Sequence, residues 1–183
     1  MKLKQLITTT LLIAPLATMA NGLTLSSDDI RHGEFMSKKH EYQGFGCSGD
    51  NLSPHLKWSN VPKGTKSFAI TVHDPDAPTG SGWWHWQVVN IPASTTELAT
   101  GASQNNKLQG QPGSMQIRND YGSAQFGGAC PPPGHGAHRY NFTLHALSVA
   151  ELELPKEASS ALVGYMINAN SIGSASIQAL YRR

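Results

Sequence analysis

Hydrophobic positions along this chain recur with two periods, and the two divide it into strands and one helix. Phe68, Ile70 and Val72 alternate with Ala69, Thr71 and His73, the period-two pattern of a half-buried strand. Trp86, Val88 and Asn90 alternate in the same way with Gln87, Val89 and Ile91. Tyr140, Phe142, Leu144 and Ala146 alternate with Asn141, Thr143, His145 and Leu147, and Ser174 to Tyr181 closes the chain as another alternating strand. One segment has the helical period instead. Leu162, Tyr165, Met166 and Ala169 fall at i, i+3, i+4 and i+7 within 157–169, with Ser159 or Ser160 near the start. That stripe predicts a helix whose four apolar side chains enter the core.

The shorter segments fill in the outline. Thr24-Leu25-Ser26 reads as an edge strand, and Ser27-Asp28-Asp29-Ile30 as the cap of one helical turn. Ser53-Pro54-His55-Leu56-Lys57-Trp58 reads as a strand entered through proline, and 61–65 as a turn. The stretch 93–114 is rich in Ala, Ser, Thr, Asn, Gln and Gly and predicts a long surface excursion. Many short strands against one helix predict a mainly β, sandwich-like single domain with a peripheral helix. Periodicity does not name its topology.

Composition changes this picture mainly at the N-terminus. The 183 residues suffice for one domain around one core, 21–183, and no internal repeat of solenoid length is present. Residues 1–20 carry Lys2 and Lys4, then an apolar middle with Leu11, Leu12, Ile13 and Leu16, then Thr18-Met19-Ala20. This is the layout of a signal peptide cleaved near Ala20, and the apolar run is too short for a stable membrane anchor. The whole chain has 14 Lys and Arg against 12 Asp and Glu, so losing the two leader lysines leaves a formally neutral protein. Neutrality argues against nucleic acid as a partner. Export to the periplasm or beyond also gives meaning to Cys47 and Cys130, the only cysteines, because oxidising compartments pair such thiols. A bridge between them stabilises the fold by about 4–5 kcal/mol in the chain-entropy limit.

Two loops concentrate the chemistry. The first follows the strand at 67–73: Asp74-Pro75-Asp76-Ala77-Pro78, then Trp83-Trp84-His85-Trp86 running into the next strand. The second is Cys130-Pro131-Pro132-Pro133-Gly134 followed by His138-Arg139-Tyr140. If the loops meet, Asp74, Asp76, His85, His138 and Tyr140 supply two acceptors, two imidazoles and a phenol. A carboxylate beside a histidine fixes its tautomer and favours its protonated form, which then donates charge-assisted hydrogen bonds outward. Such a cradle suits phosphate or phosphate-ester headgroups, bound more tightly as pH falls through the histidine range. Tryptophan and proline walls add the apolar rim of a small-molecule pocket. Other histidines look structural (His73, His145) or superficial (His32, His40, His55), and His135, between two glycines, is ambiguous.

Both loop motifs, in this order and spacing, resemble the signature of the phosphatidylethanolamine-binding protein family, the Raf-kinase-inhibitor-like proteins. The likeness runs from about Leu23 to the C-terminus and is nearest to the exported, bacterial YbhB/YbcL-like branch. The resemblance implies a large antiparallel sheet packed on a smaller one, with a C-terminal helix and strand beside the ligand cavity. It also implies that Asp74, His85, His138 and Tyr140 bind the anion while Asp76, Trp83, Pro131 and Pro132 line the pocket. Many such proteins have glycine where this chain has Cys130, so a disulfide there would narrow or stiffen the mouth. Family members bind ligands and often inhibit kinases or proteases by contact, and a kinase target sits badly with export. Oligomeric state stays open between monomer and homodimer.

Two other classes compete. His73, Asp74, Asp76, His85, His135 and His138 include enough ligands for zinc, but none falls on a metal-binding spacing, so no metal or cofactor is expected. A hydrolase of phosphate or acyl esters needs a placed nucleophile. Ser81 lacks a nucleophile-elbow context, and Cys130 near His138 serves only as a free thiol. The expectation is a binding protein without catalytic residues.

Overall fold

The computed structural model describes residues 22–104, 107–108 and 111–183, so the expected signal peptide lies outside the described residues. In chain order the elements are β1 (Thr24–Ser26), a 3-10 turn (Lys38–His40), β2 (Gln43–Gly44), β3 (Cys47–Ser48), β4 (Leu56–Ser59), β5 (Ser67–Asp74) and β6 (Trp83–Pro92). There follow β7 (Glu97–Leu98), β8 (Ser103–Gln104), β9 (Lys107–Leu108), β10 (Met115–Gln116), β11 (His138–Leu147), α1 (Ser160–Asn170) and β12 (Ser171–Tyr181). Five strands form the main antiparallel sheet in the order β10-β6-β5-β11-β12, and β1-β4-β7 form a smaller one with β1 at its edge. The sheets pack face to face through Leu56, Trp58 and Leu98 against Phe68, Ile70, Trp86 and Phe142.

The centre of the main sheet is buried on both faces, not half-buried as its alternation predicts. Along β6 every residue from His85 to Ile91 is buried, and β5 is nearly as enclosed. One face meets the small sheet. The other, with Ala69, Val89 and Leu147, is covered by Val163 and Ile167 of α1 and by Leu152. The alternation survives as a difference in side-chain size: Phe68, Ile70 and Val72 face one layer, Ala69 and Thr71 the other.

The helix corrects its own prediction. Ser159 caps it as expected, its hydroxyl accepting from the Leu162 amide at 3.2 Å. The buried stripe, however, is Val163 and Ile167, with Met166 partly covered, while Leu162 is 37% and Tyr165 69% exposed. Both stripes have helical spacing, and the smaller β-branched pair fits the close approach to the sheet. The helix also lies towards the end of the sheet away from the two chemical loops, where Ser148 bonds to Asn170. Strand β12 does border those loops: Tyr181 pairs with His138, and Arg183 Nε donates to Pro131 O at 2.8 Å.

Three smaller expectations also change. Ser27 makes capping-type hydrogen bonds to the amides of Asp29 and Ile30, but no helical turn follows. The 93–114 stretch is not simply a surface excursion, because Leu98, Ala102 and Leu108 are core residues. His40 is fully buried, its Nδ1 2.7 Å from Leu52 O, and His55 is half-buried between Asp28 and Glu97. The backbone of 40–42 runs beside 128–130, with the Ala129 amide donating to His40 O and the Tyr42 amide to Ala129 O. A Cβ on Gly128 would lie 2.4 Å from His40 O, so only glycine allows this approach.

Because Val163 and Ile167 carry the helix, Ile167→Ala is expected to destabilise by about 2–4 kcal/mol, while Leu162→Ala and Tyr165→Ala each stay within about 0.5 kcal/mol. Urea denaturation of the three variants checks the assignment. Equal losses at Leu162 and Ile167 would contradict it.

Candidate functional site

A break in the β5–β6 ladder creates the site. Val72 pairs with Trp86, but His73 pairs with Trp84, so His85 is an extra residue with no partner opposite. Such a bulge re-aims a side chain, and here His85 reaches the cavity at the end of the sheet. On β5 the next residue is Asp74, the last of its strand, and on the neighbouring β11 His138 and Tyr140 share one face. Gly82 closes the loop between β5 and β6 at φ 74°, where a Cβ would sit 2.5 Å from Asp74 O.

The cavity measures about 180 Å³, below the usual range of drug-sized sites and suited to a headgroup. Asp74, Trp83, His85, Pro131, Pro132, His138 and Tyr140 all line it. Asp74 anchors the polar floor. Its Oδ2 accepts from His138 Nδ1 at 2.7 Å and its Oδ1 from the Asp76 amide at 2.8 Å. The first contact fixes the His138 ring with Nε2 outward, where His135 Nδ1 meets it at 2.9 Å. The Tyr140 hydroxyl and the Trp83 indole N–H are buried with no hydrogen-bond partner among the described residues. Burial, the charge of Asp74 and a side-chain approach to its carboxylate that falls short of hydrogen-bond geometry raise the Tyr140 phenol well above its ordinary value, so it stays a donor.

Asp76 is the departure from the predicted set. It is not among the lining residues, because Arg139 takes its carboxylate. Arg139 donates from Nε and its amide to Oδ2 at 2.9 and 2.8 Å, and from a terminal nitrogen to Oδ1 at 2.6 Å. This contact holds the Asp76 carboxyl down at about 2. The pair is half-exposed and adds little net charge to the mouth.

His85 also differs from the cationic donor expected of it. It is 2% exposed, and its Nδ1 lies 2.7 Å from Gly127 O and 3.1 Å from Gly128 O. Burial outweighs both carbonyls and Asp74, and it lowers the imidazole to about 4. His85 is therefore neutral near pH 7.

Sequence reasoning missed part of the wall. Tyr121 lines the cavity, its hydroxyl donating to Gly128 O at 3.1 Å and its ring stacked on Tyr42 at 3.9 Å. No periodicity or motif in the sequence marks this tyrosine as a wall. Phe45 also lines the mouth, 72% exposed and at φ 51°. It sits on the β2–β3 hairpin, which Cys47 fastens to Cys130, itself a lining residue. Arg183 spans the same gap, reaching Gly46 O and Pro131 O at 2.8 Å each. Ala77, Pro78 and Thr79 complete the rim. Among the described residues no cluster of three or more His, Cys, Asp or Glu is placed to hold a metal, and no helix is long and apolar enough to cross a membrane.

With this geometry in view, comparison with known proteins is informative. Residues 26–182 match the family profile described as phosphatidylethanolamine-binding protein. The chain is 48% identical to the UPF0098 protein YbcL of Escherichia coli, over 96% of both chains. It is also 48% identical to E. coli YbhB, over 87% of this chain and 99% of that one. The crystal structure of E. coli YbcL superposes with a TM-score of 0.85 at 51% identity, covering 88% of this chain and 98% of that one.

Burial of a neutral His85 makes stability depend on pH. Its folded value, about 4, lies below the ordinary 6.5, so the unfolded chain takes up the extra proton first. The contribution is whole above 6.5 and is lost as pH falls towards 4. The expected loss from this residue between pH 8 and pH 5 is about 2 kcal/mol. Urea denaturation at both pH values should show a smaller loss for His85→Gln than for the wild type, and an equal loss would exclude a buried neutral imidazole.

Proposed function

The chain belongs to the phosphatidylethanolamine-binding protein family, and from that premise we propose that its pocket binds small phosphate-bearing anions of the phosphoethanolamine type. The observation that carries this reading is the floor of the cavity. An Asp74–His138 pair lies there beside two buried donors without partners, the Tyr140 hydroxyl and the Trp83 indole N–H. Unpaired buried donors cost free energy unless a ligand accepts from them. Asp74 holds the Nδ1 proton of His138, so its Nε2 is a further donor only when the ring is doubly protonated. An anion reaches that atom by displacing His135, which is exposed and lies outside the lining. Trp83, Tyr121, Phe45, Pro131 and Pro132 provide apolar surface for the organic part of an ester.

Binding without turnover is the reading favoured here over ester hydrolysis. The disulfide consumes the Cys130 thiol, and Ser81 is exposed and outside the lining. The same disulfide supports an oxidising, periplasmic or secreted location. A protein target such as a protease, engaged by contact, would meet the exposed Phe45 at the mouth.

Calorimetric titration of the oxidised protein with phosphoethanolamine and with inorganic phosphate tests the reading. Saturable binding is expected, weakened at least about tenfold in His138→Ala by loss of a charge-assisted hydrogen bond. Asp76→Asn, which alters only a side chain held by Arg139 and keeps the backbone amide that donates to Asp74, should bind within about threefold of wild type. Failure of the folded wild-type protein to bind either ligand would exclude the proposal.

A further inference from the structure

The hydrogen-bond polarity of the cavity floor has a consequence for which phosphate it accepts. His85 Nδ1 faces two backbone carbonyl oxygens, Gly127 O at 2.7 Å and Gly128 O at 3.1 Å. Carbonyl oxygens only accept, so Nδ1 must carry the proton. In the neutral ring this makes Nε2 a lone-pair acceptor, and Nε2 has no partner among the described residues. Asp74 is a second acceptor on the same floor. The site therefore offers donors in Tyr140 and Trp83, with His138 Nε2 a third only when that ring is doubly protonated, and an obligate acceptor in His85 Nε2.

We propose that the pocket selects a phosphate that brings its own proton: a monoester, or inorganic phosphate, bound as the monoanion with its P–O–H donating to His85 Nε2. This rests on the phosphate reading above and deepens it. A dianion would set oxygen lone pairs against the Nε2 lone pair and the Asp74 carboxylate. Sulfate has no proton to give near neutral pH. A phosphodiester has none either, so an intact diacyl phospholipid is excluded while a free headgroup monoester is accepted. Sites built around a ligand hydroxyl reject analogues without it strongly, because a buried polar group is left unpaired.

The groups around His85 leave this polarity intact. Asp74 and His73 act on it from β5, Tyr140 and His138 from β11, and Tyr121 from the turn before the second loop. Asp76 is paired with Arg139, and Arg183 is engaged at the rim by Gly46 and Pro131. None of the described groups donates to Nε2. Burial keeps the ring neutral above about pH 4.

The test is calorimetric and uses the oxidised wild-type protein with a ligand series from pH 5 to 8. Phosphoethanolamine and inorganic phosphate should bind, whereas sulfate and the diester glycerophosphoethanolamine should bind at least about a hundredfold more weakly. Affinity for the monoester should fall above its second ionisation, near pH 6, by about tenfold per unit. The midpoint must follow the ligand: higher for methylphosphonate, lower for fluorophosphate. A midpoint fixed across ligands would mean that a histidine titrates instead, and would overturn the proposal. Sulfate or diester binding equal to phosphate would overturn it too. Absence of phosphate binding at every pH would overturn the phosphate reading and this inference with it.

Discussion

The hydrogen bond from His138 to Asp74 joins residues 64 positions apart, and the site depends on it. Each partner ends or begins a central strand, so the contact is an extension of the β5–β11 ladder into side-chain chemistry. Both side chains are almost fully buried. Breaking such a pair leaves an unsatisfied polar group in a low-dielectric interior, which costs far more than a surface contact of the same length. The sheet therefore holds the pair, and the pair in turn fixes which His138 nitrogen faces the cavity.

Around this floor, the mouth is assembled from segments far apart in sequence. The β2–β3 hairpin, the proline wall and the end of β12 meet there, tied by Cys47–Cys130 and by the two carbonyl contacts of Arg183. The hairpin would otherwise have little to hold it, since its two strands are two residues each and pair only with one another. Covalent and hydrogen-bonded clamps take the place of a core at this point, and Phe45 owes its position to them.

Much of this was legible in the sequence. The long strands announced themselves by alternation, and the two loops by a density of carboxylate, imidazole and tryptophan. What stayed hidden was tertiary. Asp76 and Asp74 are indistinguishable by local pattern, and only Arg139 on a neighbouring strand separates them. Two helical stripes shared one segment, and the sheet chose the smaller one. Tyr121 became a wall because Gly128 and Tyr42 hold it there. The neutral state of His85 follows from burial and its tautomer from two carbonyls 42 and 43 residues away, and no spacing rule records those.

The extra residue at position 85 also couples the length of this segment to the core. Side chains on a strand alternate between faces, so a one-residue slip exchanges them all. Deleting any single residue between Trp83 and Trp86 would remove the bulge and leave a choice. Either Trp86, Val88 and Ile91 keep their places and no side chain takes the position of His85 in the cavity, or the cavity keeps its imidazole and the inward and outward side chains of this strand exchange. Point substitutions can retune the chemistry of this stretch one side chain at a time. Changes in length cannot, so among descendants of this chain the spacing of the segment should outlast the identity of most residues within it.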